Sequence, residues 1–535
     1  LGEIGMNCLA LDDGESVVLV DAGVTFDGRD VGVDVVHPDF SVLDPVADRL
    51  RALLVTHGHE DHIGAIPYLL RRFDIPVFGP PYALGLLRAR AEEHPILDEA
   101  RFIETQPGRT FSVGAFDVEP IRVAHSIADA TALAIRTPIG RVVHTGDFKF
   151  DDGVSEREQL DVARFARLGD EGVALLFSDS TNIDARGPTG SERGVTESLE
   201  RLVGTADGAV VVGVFASNVH RLRALGNVAE RTGRHLLTLG RSMQTHARVA
   251  RETGELVWPD GLQIPAERAR ALPRNRILAI ATGSQAEANA TLMRLAHDEH
   301  TALKLEPGDR VILSSRTIPG NEREVSHLMT LLLRLGVDLR SWATDRDVHV
   351  SGHAHREEQA RMLDLVRPRC FVPVHGTLHH LTRHAALARE RGVREVAVIE
   401  NGTVLETDGH ELRVVGRTPV PRVHIAHGRV VSPVTLRERR SLAQAGCGFV
   451  HATLDAEGRL VETPTVWTHG VSEDEERRIR SETHAEIRTA LERLSRAERC
   501  DDGIVTEHVR LALRRVLTRT TGSKPVTKAI VVRRT

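Results

Sequence analysis

The chain is poor in cysteine and in lysine, and it has no long apolar run. Each shortage narrows what it can be. Its four cysteines, Cys8, Cys370, Cys447 and Cys500, stand far apart in 535 residues with no C-x-x-C among them. That excludes a disulfide framework and a cysteine-type zinc module; it suits a reducing compartment, so a cytoplasmic location is expected. No stretch of about 18 uninterrupted apolar residues occurs, which argues against a membrane-spanning helix. Residues 1–7 carry neither a basic n-region nor an apolar h-region, so no signal peptide is read there. The chain opens on Leu1 in mid-pattern, and further residues upstream, including a first strand, are expected. A net charge of −6 announces no bulk field for nucleic acid. Lys149, Lys304, Lys524 and Lys528 are the only lysines among 69 basic residues. A GC-rich genome and a demand for planar phosphate forks both account for that bias.

Histidine, by contrast, is abundant at 27 residues, and many of these stand in short clusters beside acids. The length predicts three or four domains. Short apolar runs predict strands at 17–22, 51–56, 131–137, 141–145 and 173–178, with helical spacing at 63–72. From about 205 the rhythm becomes strand–helix alternation. Strands are predicted at 209–215, 236–239, 277–282 and 310–315, and helices at 219–233, 285–296 and 321–336. Such alternation predicts a parallel, doubly wound sheet, with ligands at the carboxyl ends of its strands. Those ends read Ala216-Ser217-Asn218, Gly240-Arg241-Ser242, Gly283-Ser284-Gln285 and Arg316-Thr317. They suit either phosphate binding at helix N-termini or ordinary βα turns. After 340 the first pattern returns, with a helix at 356–366 and the strand CFVPV, as though one domain resumes after an insertion. The Pro-rich stretch at 418–433 reads as a linker. Helical spacing recurs at 472–498 and 504–519, and after Glu507 there are eight Lys or Arg residues and no acid.

The strongest chemical signal is Thr56-His57-Gly58-His59-Glu60-Asp61-His62, directly after a predicted buried strand and before a helix. Imidazole with carboxylate suits Zn²⁺ or a similar divalent ion. Three histidines and an aspartate within six positions resist a packing explanation, because desolvating them unpartnered is costly. His125 in VAHS, Asp147 in VVHTGDFKF and His375 in FVPVHG each end an apolar strand, where a sheet edge delivers side chains to one place. A carboxylate bridging from Asp147 would suit two metals about 3.5–4 Å apart.

THGHEDH, HS, GDFKF, SDSTN, SGHA and PVHG, in that order, resemble the metallo-β-lactamase superfamily and within it the β-CASP nucleases, most closely the bacterial ribonuclease J family. The resemblance runs from LGEIGMN through FASNVHR and IPGNE. It implies an α/β chain: a metallo-β-lactamase αββα sandwich (1–195 and 341–417) interrupted by a doubly wound β-CASP domain (196–340). A linker (418–435) and a small α/β C-terminal oligomerisation domain (436–535) follow. It further implies one zinc held by His57, His59 and His125, and another by Asp61, His62 and His375, with Asp147 bridging. Asp179 corresponds to an acid beside the metals that joins Asp61 in catalysis, and His353 to the general acid for the leaving 3′-oxygen. His375 stands where a histidine marks RNA-type members. Ser217, Asn218, His220, Arg221, Arg241, Ser351, Gly352 and His355 are the expected RNA or phosphate contacts.

The chain departs from the family pattern at three places. His375-Gly376-Thr377-Leu378-His379 stands for VHGE, Ala354-His355-Arg356 follows SGH where many read SGHAS, and Thr282-Gly283-Ser284-Gln285-Ala286-Glu287-Ala288 stands for TGSQGEP. None touches an expected ligand. The implied function is a cytoplasmic, metal-dependent ribonuclease acting on single-stranded RNA in maturation and decay, 5′→3′ exonucleolytic with endonuclease activity. Its ions would be two Zn²⁺, with Mn²⁺ an alternative, and its state a homodimer or homotetramer, within an RNA-degradation assembly or outside one. A purely endonucleolytic member, a sister hydrolase and a non-catalytic RNA-binding scaffold are the other readings.

Overall fold

A computed structural model of the chain describes residues 1–26, 31–318 and 320–534. Pro319 of IPGNE and Thr535 therefore lie outside the described residues. The chain divides into two compact units, Leu1–Thr25 with His37–Arg422 and Phe26–Val36 with Val423–Thr535.

In the first unit, the run Val17–Val20 is buried on both faces, as an inner strand requires. It pairs with Leu9–Asp12 on one side and, in parallel, with Leu50–Leu54 on the other, inside a five-stranded sheet. A seven-stranded sheet lies against it. Val18, Val20, Ala52 and Leu54 from the first sheet share a core with Val118, Leu133 and Ile135 from the second. Within that second sheet, Leu175–Asp179 pairs in parallel with Cys370–Val374, although nearly 200 residues separate them in sequence. The chain thus leaves the sandwich and returns to the adjacent strand, which is the architecture of a domain with an insertion.

The insertion is a five-stranded, wholly parallel sheet. Its order is His235–Leu239, Ile277–Ala281, Val210–Gly213, Arg310–Leu313 and Asp338–Ser341. The inner strands are uniformly buried Val, Ile, Leu and Ala, covered by helices such as Val219–Arg231 and Glu322–Arg334. The second unit has a three-stranded sheet of Cys447–Leu454, Thr465–His469 and Val526–Arg533. The helices Glu473–Glu492 and Asp502–Thr521 share its core. Among the described residues, no helix is long and apolar enough to cross a membrane.

Three local expectations change. The helix expected over 63–72 is broken into Glu60–Ile63 and Ile66–Leu70, because Pro67 has no N–H and serves only in a first turn. The stretch expected as a linker instead holds a hairpin, Arg422–Ala426 with Arg429–Val431. His427 and Gly428 both take positive φ, 49° and 72°, the signature of a tight two-residue turn. The helix expected over 285–296 shrinks to Thr291–Ala296. Its missing start is a turn in which Ala286 sits at φ 62°. Gln285 holds that turn, accepting from Ile318 N at 2.8 Å and donating to Arg316 O at 3.0 Å. Left-handed alanine is strained by about 1 kcal/mol. Ala286→Gly is therefore expected to raise the unfolding midpoint by one to a few degrees in a thermal melt, and a lower midpoint would contradict the strain.

Candidate metal centre

The loop after Leu50–Leu54 carries the histidines, and its path is set by a neighbour with no side chain. A Cβ on Gly23 would stand 1.6 Å from Asp61 O, so only glycine lets the two segments touch. Gly23 N then donates to Asn7 O, and Asn7 N donates to Asp61 O, tying the loop to the chain start.

Four of the five imidazoles have one nitrogen occupied away from the centre. His62 Nδ1 lies 2.7 Å from Asp21 Oδ2. Thr56 Oγ1 donates to the same oxygen at 2.8 Å and accepts from His57 Nδ1 at 3.0 Å. His125 Nδ1 donates to Gly352 O at 2.7 Å. His375 Nδ1 donates to Thr181 Oγ1 at 2.7 Å, and that hydroxyl donates to Asp179 Oδ1. These bonds fix the tautomers and turn the Nε2 lone pairs of all four rings inward. His59 alone presents Nδ1, at 3.1 Å from both His57 Nε2 and His125 Nε2. A tetrahedral ion with Zn–N bonds near 2.0–2.1 Å separates its ligands by about 3.3–3.4 Å. The spacing of these three nitrogens therefore fits one.

Asp147 Oδ2 stands in the middle. It lies 3.6 Å from His57 Nε2 and from His125 Nε2, 3.3 Å from His62 Nε2 and 3.5 Å from His375 Nε2. Asp61 Oδ2 is 3.1 Å from His375 Nε2 and 3.7 Å from His62 Nε2. The donors accordingly form sets that share Asp147: His57, His59 and His125; Asp61, His62 and His375; and a third in which Asp179 and His353 join His375. All are of the nitrogen and oxygen types that Zn²⁺ and Mn²⁺ accept.

The electrostatics agree. Burial pushes His57 and His125 well below the ordinary imidazole range, and His59 down to about 4, which keeps them neutral as ligands must be. At His62 burial is outweighed by Asp147, Asp61 and Asp21, and the ring is raised well above its usual value. At His375 burial is outweighed by Asp147, Asp61 and Asp179, which raise it to about 9. Buried carboxylates thus demand positive charge here, which a proton or a divalent ion can supply.

Beside this cluster, His353 Nδ1 donates to Asp179 Oδ2 at 2.8 Å. Burial alone would lower His353, but Asp179 raises it above the ordinary imidazole value. Its loop is held by Asn182, which donates to Ser351 Oγ at 2.8 Å and to His353 O at 3.0 Å. Asp21, Thr181 and Asn182 are functional neighbours that sequence reasoning missed. Asp21 carries a sequence signal, an acid ending the apolar strand VVLV. The pairings of Thr181 and Asn182 carry none, since their partners lie 169 to 194 residues away.

Three of the expected RNA contacts are corrected. Arg221 is fully buried: its guanidinium donates to both Glu192 oxygens at 2.9–3.1 Å and to Val348 O at 3.2 Å. A strand-end arginine was read as surface, but its helix turns it into the protein. Asn218 is buried and caps that helix, accepting from Arg221 N at 2.9 Å. Gly352 is buried against Ser126 and His125, where a Cβ would stand 2.6–2.9 Å from their atoms, and its carbonyl orients His125. Ser217, His220, Arg241, Ser351 and His355 keep some exposure, Arg241 the most. His220 is engaged by Glu158 at 2.9 Å. Thr377, where the family reads Glu, caps the helix Leu378–Glu390.

Two outcomes are expected. Asp21→Asn removes the acceptor shared by His62 and Thr56 and should weaken metal retention about 10- to 100-fold, read by chelator competition; unchanged retention would deny Asp21 its orienting role. Arg221→Met strands buried Glu192 and should cost about 3–5 kcal/mol in denaturant unfolding, while the salt slope of RNA binding stays as it was.

Comparison with known proteins supplies the family. A sequence model of the metallo-beta-lactamase superfamily matches residues 1–213. Models described as "Ribonuclease J, beta-CASP domain", "Zn-dependent metallo-hydrolase RNA specificity domain" and "Ribonuclease J C-terminal domain" match 207–332, 345–398 and 434–534. Ribonuclease J of Sinorhizobium meliloti is 36% identical over 100% of this chain and 96% of its own. That of Synechocystis is 38% identical over 88% and 74%, and that of Mycobacterium tuberculosis 38% over 89% and 86%. A crystal structure of a protein of unknown function from Enterococcus faecalis V583 aligns with a TM-score of 0.53 at 16% identity. It covers 79% of this chain and 98% of that one, a likeness of fold alone. With this coverage and identity across the sandwich, the insertion and the C-terminal unit, the chain belongs to the ribonuclease J family of metallo-β-lactamase, β-CASP proteins.

Proposed function

We propose that the chain is a metal-dependent ribonuclease that hydrolyses phosphodiester bonds of single-stranded RNA, as a 5′→3′ exonuclease with endonuclease activity. One observation carries the reading. A single oxygen, Asp147 Oδ2, lies within 3.6 Å of four inward-facing Nε2 atoms, joining two donor sets with the His353–Asp179 pair alongside. His57, His59 and His125 would hold one cation, Asp61, His62 and His375 the other, and Asp147 both. Two Zn²⁺ suit these donors, and Mn²⁺ is accepted by the same set. Held there, the ions supply Lewis acidity, activation of water near neutral pH and neutralisation of charge on the phosphoryl oxygens.

The protein's own part is orientation and proton delivery. Asp179 fixes His353 by its Nδ1–H, leaving Nε2 as the nitrogen that delivers a proton to the departing 3′-oxygen. The side chain of His353 keeps 22% exposure while Asp179 is sealed, so substrate can reach the donor but not its anchor. Asp61 serves both as ligand and as a negative wall beside the attacking water. Relatives named Ribonuclease J support RNA as substrate, as does the match to an RNA specificity domain. Roles in RNA maturation and decay, alone or within a degradation assembly, and assembly as a homodimer or homotetramer through the C-terminal unit belong to the same reading. Four free cysteines fit a cytoplasmic location. A purely endonucleolytic mode is the second reading, favoured by the commitment of Thr377 to a helix cap and of His379 to Asp184 at 2.7 Å.

The test is RNA labelled at its 3′ end and carrying a 5′-monophosphate or a 5′-triphosphate. Progressive shortening of the monophosphate form, with the triphosphate spared, is expected. His353→Ala should lower kcat about 100- to 10,000-fold with metal still bound, and chelation should abolish turnover. Equal internal cuts in both RNAs would select the endonucleolytic reading. Full activity in chelator would overturn the metal mechanism.

A further inference from the structure

The C-terminal sheet packs one face against two helices and leaves Phe449, Trp467, Ile530 and Val532 exposed on the other. Val450, Ala452, Leu454 and Val466 point into a core with Ile479, Ile487, Val509 and Leu513 of the two helices. Alternate residues point the other way, and there the register places unlike groups side by side. Trp467 stands opposite Phe449, and Phe449 opposite Lys528, so one row crosses all three strands. In the next row His451 stands opposite Ile530. Trp467 is 49% exposed and Phe449 40%. Large aromatics are costly to leave in water, and a contiguous pair on a sheet face marks a contact surface.

Charge selects what that surface fits. Residues 423–535 contain 20 Lys or Arg against 15 Asp or Glu, a net +5, in a chain whose total is −6; residues 1–422 therefore carry −11. None of the outward positions on the three strands is itself an acid, although Glu462 accepts from the outward-facing Thr453, and among the described residues no ion pair engages Lys528. A second copy laid on this face would present its own aromatic row and bring no acid from its outward strand positions to Lys528. A polyanion with flat, stackable groups has both complements.

We propose that the outer face of this sheet is a second binding site for single-stranded RNA, where bases stack on Trp467 and Phe449 while Lys528 and His451 lie beside the phosphates. Any base has a π-face, so such a platform holds RNA without reading sequence. The site would raise the affinity of the whole chain for long substrates over short ones. The proposal rests on RNA being the substrate.

The test uses the full chain carrying His353→Ala, so that RNA survives, and a fluorescein-labelled 20-nucleotide oligo(A) read by anisotropy. Trp467→Ala and Phe449→Ala should each weaken Kd about tenfold, and Trp467→Phe should keep it. Bound RNA should quench tryptophan emission in the parent, and that quenching should be reduced in Trp467→Phe although affinity persists. With His353 intact, Trp467→Ala should cleave a trinucleotide as fast as the parent. Unchanged Kd in both alanine variants, with RNA still hydrolysed by the chain that keeps His353, overturns the platform and leaves the ribonuclease reading standing. Unchanged Kd with a lower molecular mass by light scattering would instead assign the face to contact between copies. Failure of the chain that keeps His353 to hydrolyse any RNA would reject the ribonuclease reading itself.

Discussion

Everything at this centre depends on one buried carboxylate being surrounded by imidazoles that cannot turn away. Asp147 is 3% exposed and has four Nε2 atoms within 3.6 Å. Alone, such an oxygen would take a proton, since burial raises a carboxyl group. The positive charge of His375 and His62 outweighs burial and holds it well below the usual carboxylate range. His62 and His375 can supply that field only because Asp21 and Thr181 hold their other nitrogens, while Thr56 and Gly352 O aim the neutral His57 and His125. The outer hydrogen bonds and the inner ligand geometry are one construction.

That construction draws on distant parts of the chain, which explains the rest of the fold. His375 and Asp179 lie at the ends of adjacent parallel strands, Cys370–Val374 and Leu175–Asp179. The His353 loop reaches the same edge through Ala354 N, which donates to Phe148 O at 2.7 Å. The whole insertion sits between these neighbours in sequence without disturbing their register. The backbone is strained where it must aim side chains: Asp21 and His375 both adopt positive φ, 60° and 54°. Such conformations persist only where the surroundings over-determine them, as the hydrogen bonds of both residues do.

A buried ionic chain braces the insertion against the sandwich. Arg221 binds Glu192, Glu192 N donates to Asp151 Oδ2 at 3.0 Å, and Asp151 accepts from the fully buried Lys149 at 2.7 Å. Lys149 is two residues from Asp147, so the brace ends on the loop that carries this central carboxylate. Buried ion pairs add little net stability over apolar packing, but breaking one member is costly, which makes them markers of geometry.

The ligand types and their order were legible in the sequence. So were the strand runs, the parallel insertion and the place of His353 and Asp179 beside the metal donors. Clustered histidines at strand ends have no cheaper explanation than a shared ion, and apolar periodicity is a local property of the chain. What sequence could not tell is which way a given side chain turns once its helix is packed. Arg221 looked like a phosphate contact and is instead fully buried against Glu192, and Gly352 proved to be the acceptor that orients His125. The 285–296 helix was lost to a turn held by residues more than thirty positions away. Residue chemistry and local spacing decided what this protein is built to hold. Long-range packing decided which nitrogen of each ring faces the centre, which arginine stays exposed and which residues of the C-terminal sheet do, because each depends on partners that only the folded chain brings within reach.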